Sequence, residues 1–342
     1  TNELAEKYGD DRKTEIVADE VEQINVEDMI KEEDMVVMIS RLGYIKRVSV
    51  EKYKKQDRGG KGSNSAALLE DDYINQLFIG STKDYLLFIT NVGKAYWIKV
   101  HEIPESERTS RGAHIKSLLA VGPDEEITAV VSLKEFAEDQ YLFMTTANGV
   151  VKKVHTTEFS NAKTRGIIGL KLDTGDKLIS AIQTTGSTEV MLISRRGKAL
   201  KIKEDSVRSM GRASRGIKGM KLAEGDEIAA AVKVEEGTGL ILVTEKGHGK
   251  RISSDLFSTH GRGTGGQRIF GNIDGKGEII GAVSICDSDE IVCMTSQGKT
   301  LRIKATEIKQ QGAGASGITI VKVSEPDYLV GIDKVQEKRD NE

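Results

Sequence analysis

Short runs of alternating apolar and polar residues recur along most of the chain, and a glycine separates the two runs of each pair. The second run of a pair is rich in basic residues. The pattern occurs six times, in Val36–Val48, Tyr85–Val100, Tyr141–Val154, Glu189–Lys203, Leu240–Ile252 and Ile291–Lys304. Because period-two alternation is typical of β-strands, we predict six β-hairpins.

The glycines between the paired runs are regularly spaced. They are Gly43, Gly93, Gly149, Gly197, Gly247 and Gly298, at intervals of 50, 56, 48, 50 and 51 residues. Two-residue turns that match the twist of β-strands need positive φ, which glycine adopts without steric penalty. Asn148-Gly149 is the strongest example of such a turn. The spacing predicts repeating units of about 50 residues.

A second glycine follows each turn by 16 to 19 residues. The pairs are Arg58-Gly59, Arg111-Gly112, Arg165-Gly166, Arg215-Gly216, Gly265-Gly266 and Ser316-Gly317. Strand-like sequence follows several of them, as in residues 166–172, so each unit supplies about four strands. Radial repetition limits exposed sheet edges, whereas an open solenoid would need capping repeats that are not evident. We therefore predict an all-β fold, a closed propeller-like disc of six four-stranded antiparallel blades.

The basic residues of the repeats are candidate contacts for the phosphates of a nucleic acid. In the last hairpin, alternation places Leu301 and Ile303 on one strand face and Arg302 and Lys304 on the other, which predicts an outward basic face. The hairpin candidates are Lys46, Arg47, Lys94, Lys99, Lys152, Lys153, Lys198, Lys201, Lys203, Lys250, Arg251, Lys299, Arg302 and Lys304. The loop candidates are Arg58, Lys61, Arg111, Arg165, Arg212, Arg215, Arg262 and Arg268. Such bases could bind phosphates without base readout, or they could simply solvate a strand face.

Charge is distributed unevenly along the 342 residues. The chain has a formal charge of −3, but residues 1–35 hold 13 acids and four bases. An acidic arm therefore precedes a mildly basic body, which permits nucleic-acid binding. No run of 18 apolar residues occurs, so no membrane span is expected. Two cysteines cannot form a disulfide framework, which favours reduced thiols and a cytoplasmic location.

Other chemical signals are weak. Two glycine-rich runs, residues 261–266 and 312–317, match the dinucleotide-binding spacing, but both occupy the loop position of a repeat and precede strand-like sequence. Cys286 and Cys293 lack a convergent histidine pair, and structural zinc needs closely paired ligands. No Ser/His/Asp arrangement has supporting context. We predict neither a metal site nor a catalytic site.

The loop after the first hairpin carries a more specific motif, Gln56, Asp57, Arg58, Gly59, Gly60, Lys61 and Gly62. It resembles the gyrase A box, with Asp57 at a position where the family pattern has a base. The opening residues 3–16 resemble the end of the gyrase A breakage-reunion region. Together with the six repeats, these segments make essentially the whole chain resemble the C-terminal domain of bacterial DNA gyrase A.

The resemblance implies a β-pinwheel, whose blades exchange strands, and a domain that wraps duplex DNA around its rim. It also implies three parts of the chain. Residues 1–35 are an acidic linker and the end of the preceding region, residues 36–333 are the pinwheel, and residues 334–342 are a charged tail. In the family the box lies in the loop that joins the first and last blades and is needed for wrapping. Wrapping gives the DNA crossing the hand needed for ATP-dependent negative supercoiling.

The family places the catalytic tyrosine in the preceding domain and the ATPase on gyrase B, so the chain by itself should lack catalysis and cofactors. ATP and Mg²⁺ are expected only for the full enzyme. The expected partners are duplex DNA, the rest of gyrase A and gyrase B in an A₂B₂ assembly. We expect the domain to be monomeric when isolated, and the protein to be cytoplasmic and nucleoid-associated.

Three alternatives stay open at this point. The equivalent domain of topoisomerase IV shares the fold but has a degraded box. A propeller-type protein scaffold would present an aromatic or apolar patch, yet aromatic residues make up only 5% of the chain. A self-contained enzyme would need a catalytic constellation.

Overall fold

The computed structural model describes residues 6–8, 29–40, 42–50, 72, 74–107, 110–235, 237–297 and 299–335. The chain divides into two units, Thr1–Lys31 and Glu32–Glu342. In the first unit, residues 6–8 are helical. The second unit consists of β-strands joined by turns and short 3-10 helices. Among the described residues, no helix is long and apolar enough to cross a membrane.

The second unit contains 23 described strands. In chain order they are β1 (Asp34–Ser40), β2 (Tyr44–Ser49), β3 (Ile74–Ser81), β4 (Tyr85–Thr90), β5 (Lys94–Lys99), β6 (Ala113–His114), β7 (Ile127–Leu133), β8 (Tyr141–Thr146), β9 (Val150–His155), β10 (Ile167–Ile168), β11 (Leu178–Thr184), β12 (Glu189–Ser194), β13 (Lys198–Lys203), β14 (Ile217–Lys218), β15 (Ile228–Val234), β16 (Gly239–Thr244), β17 (His248–Ser253), β18 (Gln267–Arg268), β19 (Ile279–Ile285), β20 (Glu290–Thr295), β21 (Thr300–Lys304), β22 (Ile318–Thr319) and β23 (Leu329–Val335). The described 3-10 helices are Val100–Glu102, Ile115–Ser117, Thr156–Phe159, Glu204–Ser206, Ser254–Leu256 and Ala305–Glu307.

The strands form six antiparallel sheets, which are the blades of a propeller. Their strand orders are β3-β1-β2-β6, β10-β5-β4-β7, β11-β8-β9-β14, β15-β12-β13-β18, β19-β16-β17-β22 and β21-β20-β23. Five sheets have four strands, and the sixth has three among the described residues. The predicted six-bladed all-β fold is confirmed, and each of the six hairpins lies within one blade.

Each four-stranded blade borrows its outermost strand from the following repeat. For example, β6 pairs with β2 of the first blade although it follows the hairpin of the second blade in the chain. At the other edge of each blade, the third strand faces the axis. The contacts of β7 with β11, β11 with β15, β15 with β19, β19 with β23 and β23 with β3 run around this axis. The strand exchange implied by the resemblance is therefore present.

The hydrophobic core lies between the blades. Five clusters of buried apolar side chains each combine residues from two adjacent blades. In one of them, Leu87 of β4 and Leu142 of β8 are both fully buried. The second to fifth sheets are thus each covered by a neighbour on both faces, and solvent reaches these blades mainly at their edges.

The turn glycines have two functions. Five of them have φ between 78° and 84°, and Gly298 lies outside the described residues. The turns have three residues, not the expected two: the amide N–H of Gly93 donates to the carbonyl of Thr90, and a glycine with positive φ then closes the turn. The carbonyl of Gly93 in turn accepts hydrogen bonds from the amides of Gly169 and Leu170, next to the borrowed strand β10. The same glycine therefore makes the turn and binds the borrowed segment.

Candidate nucleic-acid interface

The basic residues of the hairpins do not form the open face that alternation predicts. Five candidate DNA contacts are buried, namely Lys46, Lys99, Lys152, Lys153 and Lys250. The ammonium of Lys46 donates to the carbonyl of Ser110 at 2.8 Å. The expectation that these five lysines lie on an exposed face is wrong. The ammonium groups of Lys46, Lys152 and Lys250 donate to carbonyls in loops of the following repeat, which cover the strand face that carries them.

Most of the other hairpin bases already have acidic or carbonyl partners in the chain. Arg47 Nε donates to the carbonyl of Ile103 at 2.6 Å. The ion pairs are Lys94 with Glu125, Lys201 with Glu189, Arg251 with Asp287, Lys299 with Asp327 and Arg302 with Glu290. The exposed members Lys198, Lys203 and Lys304 remain accessible. The hairpins therefore supply few accessible charges for a phosphate backbone.

The six loop candidates among the described residues occupy a different place, at the outer edge of the blades. Each lies in or near a borrowed strand, as Arg215 does two residues before β14. We call these loops, the borrowed strands and the residues after them the outer belt, which comprises residues 110–121, 162–172, 211–222, 261–272 and 311–323. The two glycine-rich runs at 261–266 and 312–317 belong to this belt and lead into the two-residue strands β18 and β22, not into helices.

Backbone hydrogen bonds connect the belt from blade to blade. The amide of Ala120 donates to Thr164, and the amide of Lys171 donates to Ser214. The amide of Lys221 donates to Thr264 at 2.8 Å. Further along, the amide of Gly271 donates to Ala315. The five segments therefore form one hydrogen-bonded band along the outer edge.

Every segment of the belt carries basic residues. Its five segments contain 12 Lys and Arg residues and no Asp or Glu, although the whole chain has a formal charge of −3. Eleven of the 12 side chains are exposed, and Arg212 is half-buried. The charge is greatest in residues 211–222, with four bases, and smallest in residues 311–323, with Lys322 alone. The exposed bases of the belt therefore lie along one edge of the blades.

Half of the belt bases are candidates that the hairpin and loop patterns missed. They are Lys116, Lys163, Lys171, Lys218, Lys221 and Lys322, all exposed. A recurrence in the sequence could have revealed some of them: Lys171, Lys221 and Lys322 each lie five residues after the second glycine of their repeat. The other six bases are the predicted loop candidates Arg111, Arg165, Arg212, Arg215, Arg262 and Arg268.

Local contacts orient several belt arginines. Arg262 donates from Nε to the carbonyl of Ser206 at 3.2 Å, and Arg215 forms an ion pair of 2.9 Å with Asp173 outside the belt. Arg111 lies over the ring of Tyr44, 5.2 Å from its centroid. Lys163 has φ of 43°, unusual for a residue other than glycine, and its carbonyl accepts a hydrogen bond from the amide of Trp97.

Acidic residues between the repeats have a structural function. Asp226 is buried, and its Oδ1 accepts hydrogen bonds from the amides of Arg196 and Glu227. Asp327 makes the equivalent contact with Gln297, and its pKa is lowered below its usual value despite the opposing effect of burial, by hydrogen bonds from Ser296 and other donors. In the described part of the chain, no three His, Cys, Asp or Glu side chains form a group that could hold a metal ion.

The predicted box, residues 56–62, lies outside the described residues. Of the predicted tail, residues 334–342, the first two residues end β23 and the others lie outside the described residues. The proposed contacts of Arg58 and Lys61 thus stay predictions.

Comparisons with a family model and with curated proteins identify the same family. Six successive segments match the family described as DNA gyrase C-terminal domain, beta-propeller: residues 34–81, 84–134, 140–185, 188–235, 240–286 and 289–336. The DNA gyrase A protein of Treponema pallidum (strain Nichols) is 60% identical over 337 residues, 98% of this chain and 42% of that protein. The DNA gyrase A protein of Escherichia coli (strain K12) is 39% identical over 336 residues, 98% of this chain and 38% of that protein. The chain thus spans about two-fifths of the length of these curated relatives.

Two solved structures are similar to this chain over most of its length. A DNA gyrase A C-terminal domain superposes with a TM-score of 0.74 and 33% identity, covering 88% of this chain and 99% of that one. The C-terminal domain of a DNA topoisomerase IV gives a TM-score of 0.75 and 26% identity, covering 90% and 95%. Six matched repeats in a six-bladed propeller, together with the identity to gyrase A proteins across nearly the full chain, establish that this protein belongs to the DNA gyrase C-terminal domain family.

Proposed function

We propose that the outer belt binds the phosphates of duplex DNA and bends the duplex around the edge of the propeller. The observation that carries the proposal is the charge of the belt, 12 bases without an acid, arranged in a band that backbone hydrogen bonds join from blade to blade. Lys and Arg contacts to phosphates supply affinity without sequence readout.

The elastic energy of bending a duplex requires phosphate contacts that extend over several blades. Bending a duplex through half a turn at a radius of roughly 35 Å costs on the order of 10 kcal/mol by the elastic estimate. One blade offers at most four belt bases, in residues 211–222. Contacts distributed over several blades can offset the bending cost, and they require the DNA to follow the curve of the edge.

The direct test is the affinity for linear duplexes of several lengths and unrelated sequences between 50 and 200 mM salt, with energy transfer between dyes at the duplex ends. We expect sequence-tolerant binding, a steep salt dependence of about 0.9 in log–log slope for each phosphate contacted, and approach of the duplex ends. A lack of binding at 50 mM salt would rule out the proposal and would favour a protein-binding propeller.

A charge-matched pair of variants locates the interface. Replacing Lys171, Lys218 and Lys221 by Ala removes three belt charges. Replacing Lys134, Lys177 and Lys233 removes three charges on or next to the inner strands. Only the belt variant should lose affinity and salt dependence. Equal losses would place the DNA elsewhere.

At the level of the whole enzyme, we propose that the wrapped segment gives the DNA crossing its hand, as the resemblance to gyrase implies. The chain would act with the rest of gyrase A and with gyrase B, in an A₂B₂ assembly that uses ATP and Mg²⁺. The box would add Arg58 and Lys61 to the interface. Replacing both by Ala in the full-length protein should abolish negative supercoiling while ATP-dependent relaxation persists, and unchanged supercoiling would contradict this assignment.

A further inference from the structure

Three buried lysines of the hairpins lie beneath the outer belt at one repeated position, the third residue after the turn glycine. Lys46, Lys152 and Lys250 occupy it in the first, third and fifth blades, whereas Tyr96, Leu200 and Leu301 occupy it in the second, fourth and sixth. The fold thus accommodates an apolar side chain at this position, and a lysine there is not a requirement of the propeller.

The ammonium groups of two of these lysines have the surroundings of a fully satisfied cation. Lys152 Nζ donates to the carbonyls of Gly169 and Ser214, each at 2.9 Å, and to the carbonyl of Arg212. An ammonium has three N–H donors, so every donor has an acceptor. Arg212 and Ser214 belong to the loop before β14, so the hydrogen bonds join two separate segments of the belt.

Lys250 makes the same arrangement beneath a different loop. Its Nζ donates to the carbonyls of Gly312, Ala313 and Ala315 at 2.8, 2.8 and 3.0 Å. The two lysines are equally buried. The loops they hold differ in charge: residues 211–222 carry four bases, and residues 311–323 carry one.

We propose that Lys152 is a positioning residue for DNA binding, which holds the loop of Arg212 and Arg215 in the shape that presents both guanidinium groups to the duplex. The inference rests on the proposed function of the belt. Lys152 itself does not reach DNA, because its side chain is buried and its three donors are engaged. Without the ammonium, three carbonyls would lose their common donor, and the loop would change its course.

Burial makes both lysines titrate at a lower pH than an exposed lysine. Burial lowers the pKa of Lys152 to about 8, with a further decrease from Arg212 and an opposing increase from Glu158. Burial alone lowers the pKa of Lys250 to about 8. Above this pH a lysine loses one donor and the positive charge, so one of the three carbonyls loses its hydrogen bond. Lys152 therefore makes the presentation of Arg212 and Arg215 sensitive to pH within a measurable range.

The test compares Lys152→Leu with Lys250→Leu in the complete chain, using the residue that the fourth blade has at this position. Both variants lose the same kind of contact, so both should lose thermal stability to a similar degree. If Lys152→Leu removes one phosphate contact, the variant should bind a linear duplex about tenfold more weakly than the parent at 0.1 M salt. Lys250→Leu should stay within about twofold of the parent, because its loop carries no arginine. Equal effects of the two variants on DNA affinity would overturn the proposal.

A double-mutant cycle tests whether Lys152 acts through the arginines. In an Arg212→Ala, Arg215→Ala background, Lys152→Leu should change affinity by less than about twofold, since coupled residues are not additive. A full additional loss in that background would show a general effect on the fold and would overturn the positioning role.

The pH dependence of DNA affinity is a further test, because a lysine with a purely structural role would not affect it. The affinity of the parent protein should fall with a midpoint near pH 8, and the Lys250→Leu variant should keep this fall. The fall should be absent from Lys152→Leu and from the Arg212→Ala, Arg215→Ala variant, and the latter test remains valid if Lys152→Leu does not fold. A fall that persists in the arginine variant contradicts the inference, whereas a parent protein that binds no DNA contradicts the proposed function itself.

Discussion

A Cβ atom added to Gly247 would lie 2.0 Å from the carbonyl oxygen of Val321, closer than any real contact of this kind. The carbonyl of Gly247 accepts hydrogen bonds from the amides of Ile320 and Val321 at 2.9 and 3.0 Å. These two residues follow the strand that the sixth repeat lends to the fifth blade. The turn of one repeat is therefore the docking point of the next.

Gly247→Ala should destabilise the propeller by more than the cost of an unfavourable φ. The φ of Gly247 is 80°, which by itself costs an alanine about 1–2 kcal/mol. Gly237 provides the control, because its φ is 75° and no atom lies within 4 Å of its added Cβ. Urea unfolding should give a loss larger for Gly247→Ala by about 1 kcal/mol or more. Equal losses would mean that the borrowed segment can move away at little cost.

Glu204 should be important for stability although its charge is fully buried. Its carboxylate accepts hydrogen bonds from the hydroxyl of Thr184 at 2.6 Å and from the amides of Gly186 and Thr188 at 3.0 and 3.1 Å. Glu204→Gln replaces one acceptor oxygen by an NH₂ group and should cost about 1–3 kcal/mol. The matched change at exposed Glu224 should cost less than about 0.5 kcal/mol. Thermal unfolding of both variants checks this, and a neutral Glu204→Gln would show that the turn has another source of stability.

Arg268 should contribute one phosphate contact. It is exposed in β18 within the belt. Arg268→Ala should reduce the salt slope of DNA binding by about 1 and weaken binding equally for unrelated sequences. Lys233→Ala removes the same charge from the inner strand β15, where Lys233 pairs with Glu235 at 2.9 Å, and it should leave the slope unchanged. A sequence-dependent loss at Arg268 would indicate base contact instead.

Asp333 should destabilise the protein at neutral pH. Its position in β23 pairs with Val292, and the corresponding positions of other inner strands hold Val131, Ile182, Val232 and Val283. Burial raises the pKa of Asp333 to about 6. Between the ordinary pKa of Asp and pH 6 the folded state binds more protons than the unfolded state. The favourable contribution of the protonated form is therefore complete below about pH 4 and is lost as pH rises through 6.

Asp333→Asn removes this titration and keeps the size of the side chain. It should raise the unfolding free energy by about 2 kcal/mol at pH 7, and the gain should shrink toward pH 4. The same change at exposed Asp139 should give no comparable pH-dependent gain. Unfolding measured from pH 4 to 7.5 distinguishes the two, and a gain independent of pH would show that the carboxyl is not the cause.

The hairpins and turns could be predicted because they depend on local chemistry. Alternating residues and a glycine such as Gly149 specify a hairpin whatever surrounds it. The length of the turn was wrong by one residue, since a two-residue and a three-residue turn both end in glycine with positive φ. The number of blades followed from the count of repeats.

The exposure of the candidate DNA contacts was predicted less well, for a physical reason. Alternation separates the two faces of a strand, but it does not show whether a neighbouring sheet covers both. Lys153 and Arg302 occupy the same position, the fourth residue after the turn glycine, yet Lys153 is buried and Arg302 is exposed and pairs with Glu290. Exposure was predicted better for the described loop candidates: five of the six belt arginines are exposed and Arg212 is half-buried, because solvent reaches the blade edges.

The sequence alone determined the repeat, the strands, the turns and the family resemblance, since these depend on residues close together in the chain or on a motif. Only the tertiary structure decided which strand belongs to which blade and which bases face solvent. Those properties depend on contacts between residues about 60 positions apart, such as Lys152 with Ser214. Because no local pattern records such contacts, the continuous basic belt became visible only when the borrowed strands were placed beside their partner blades.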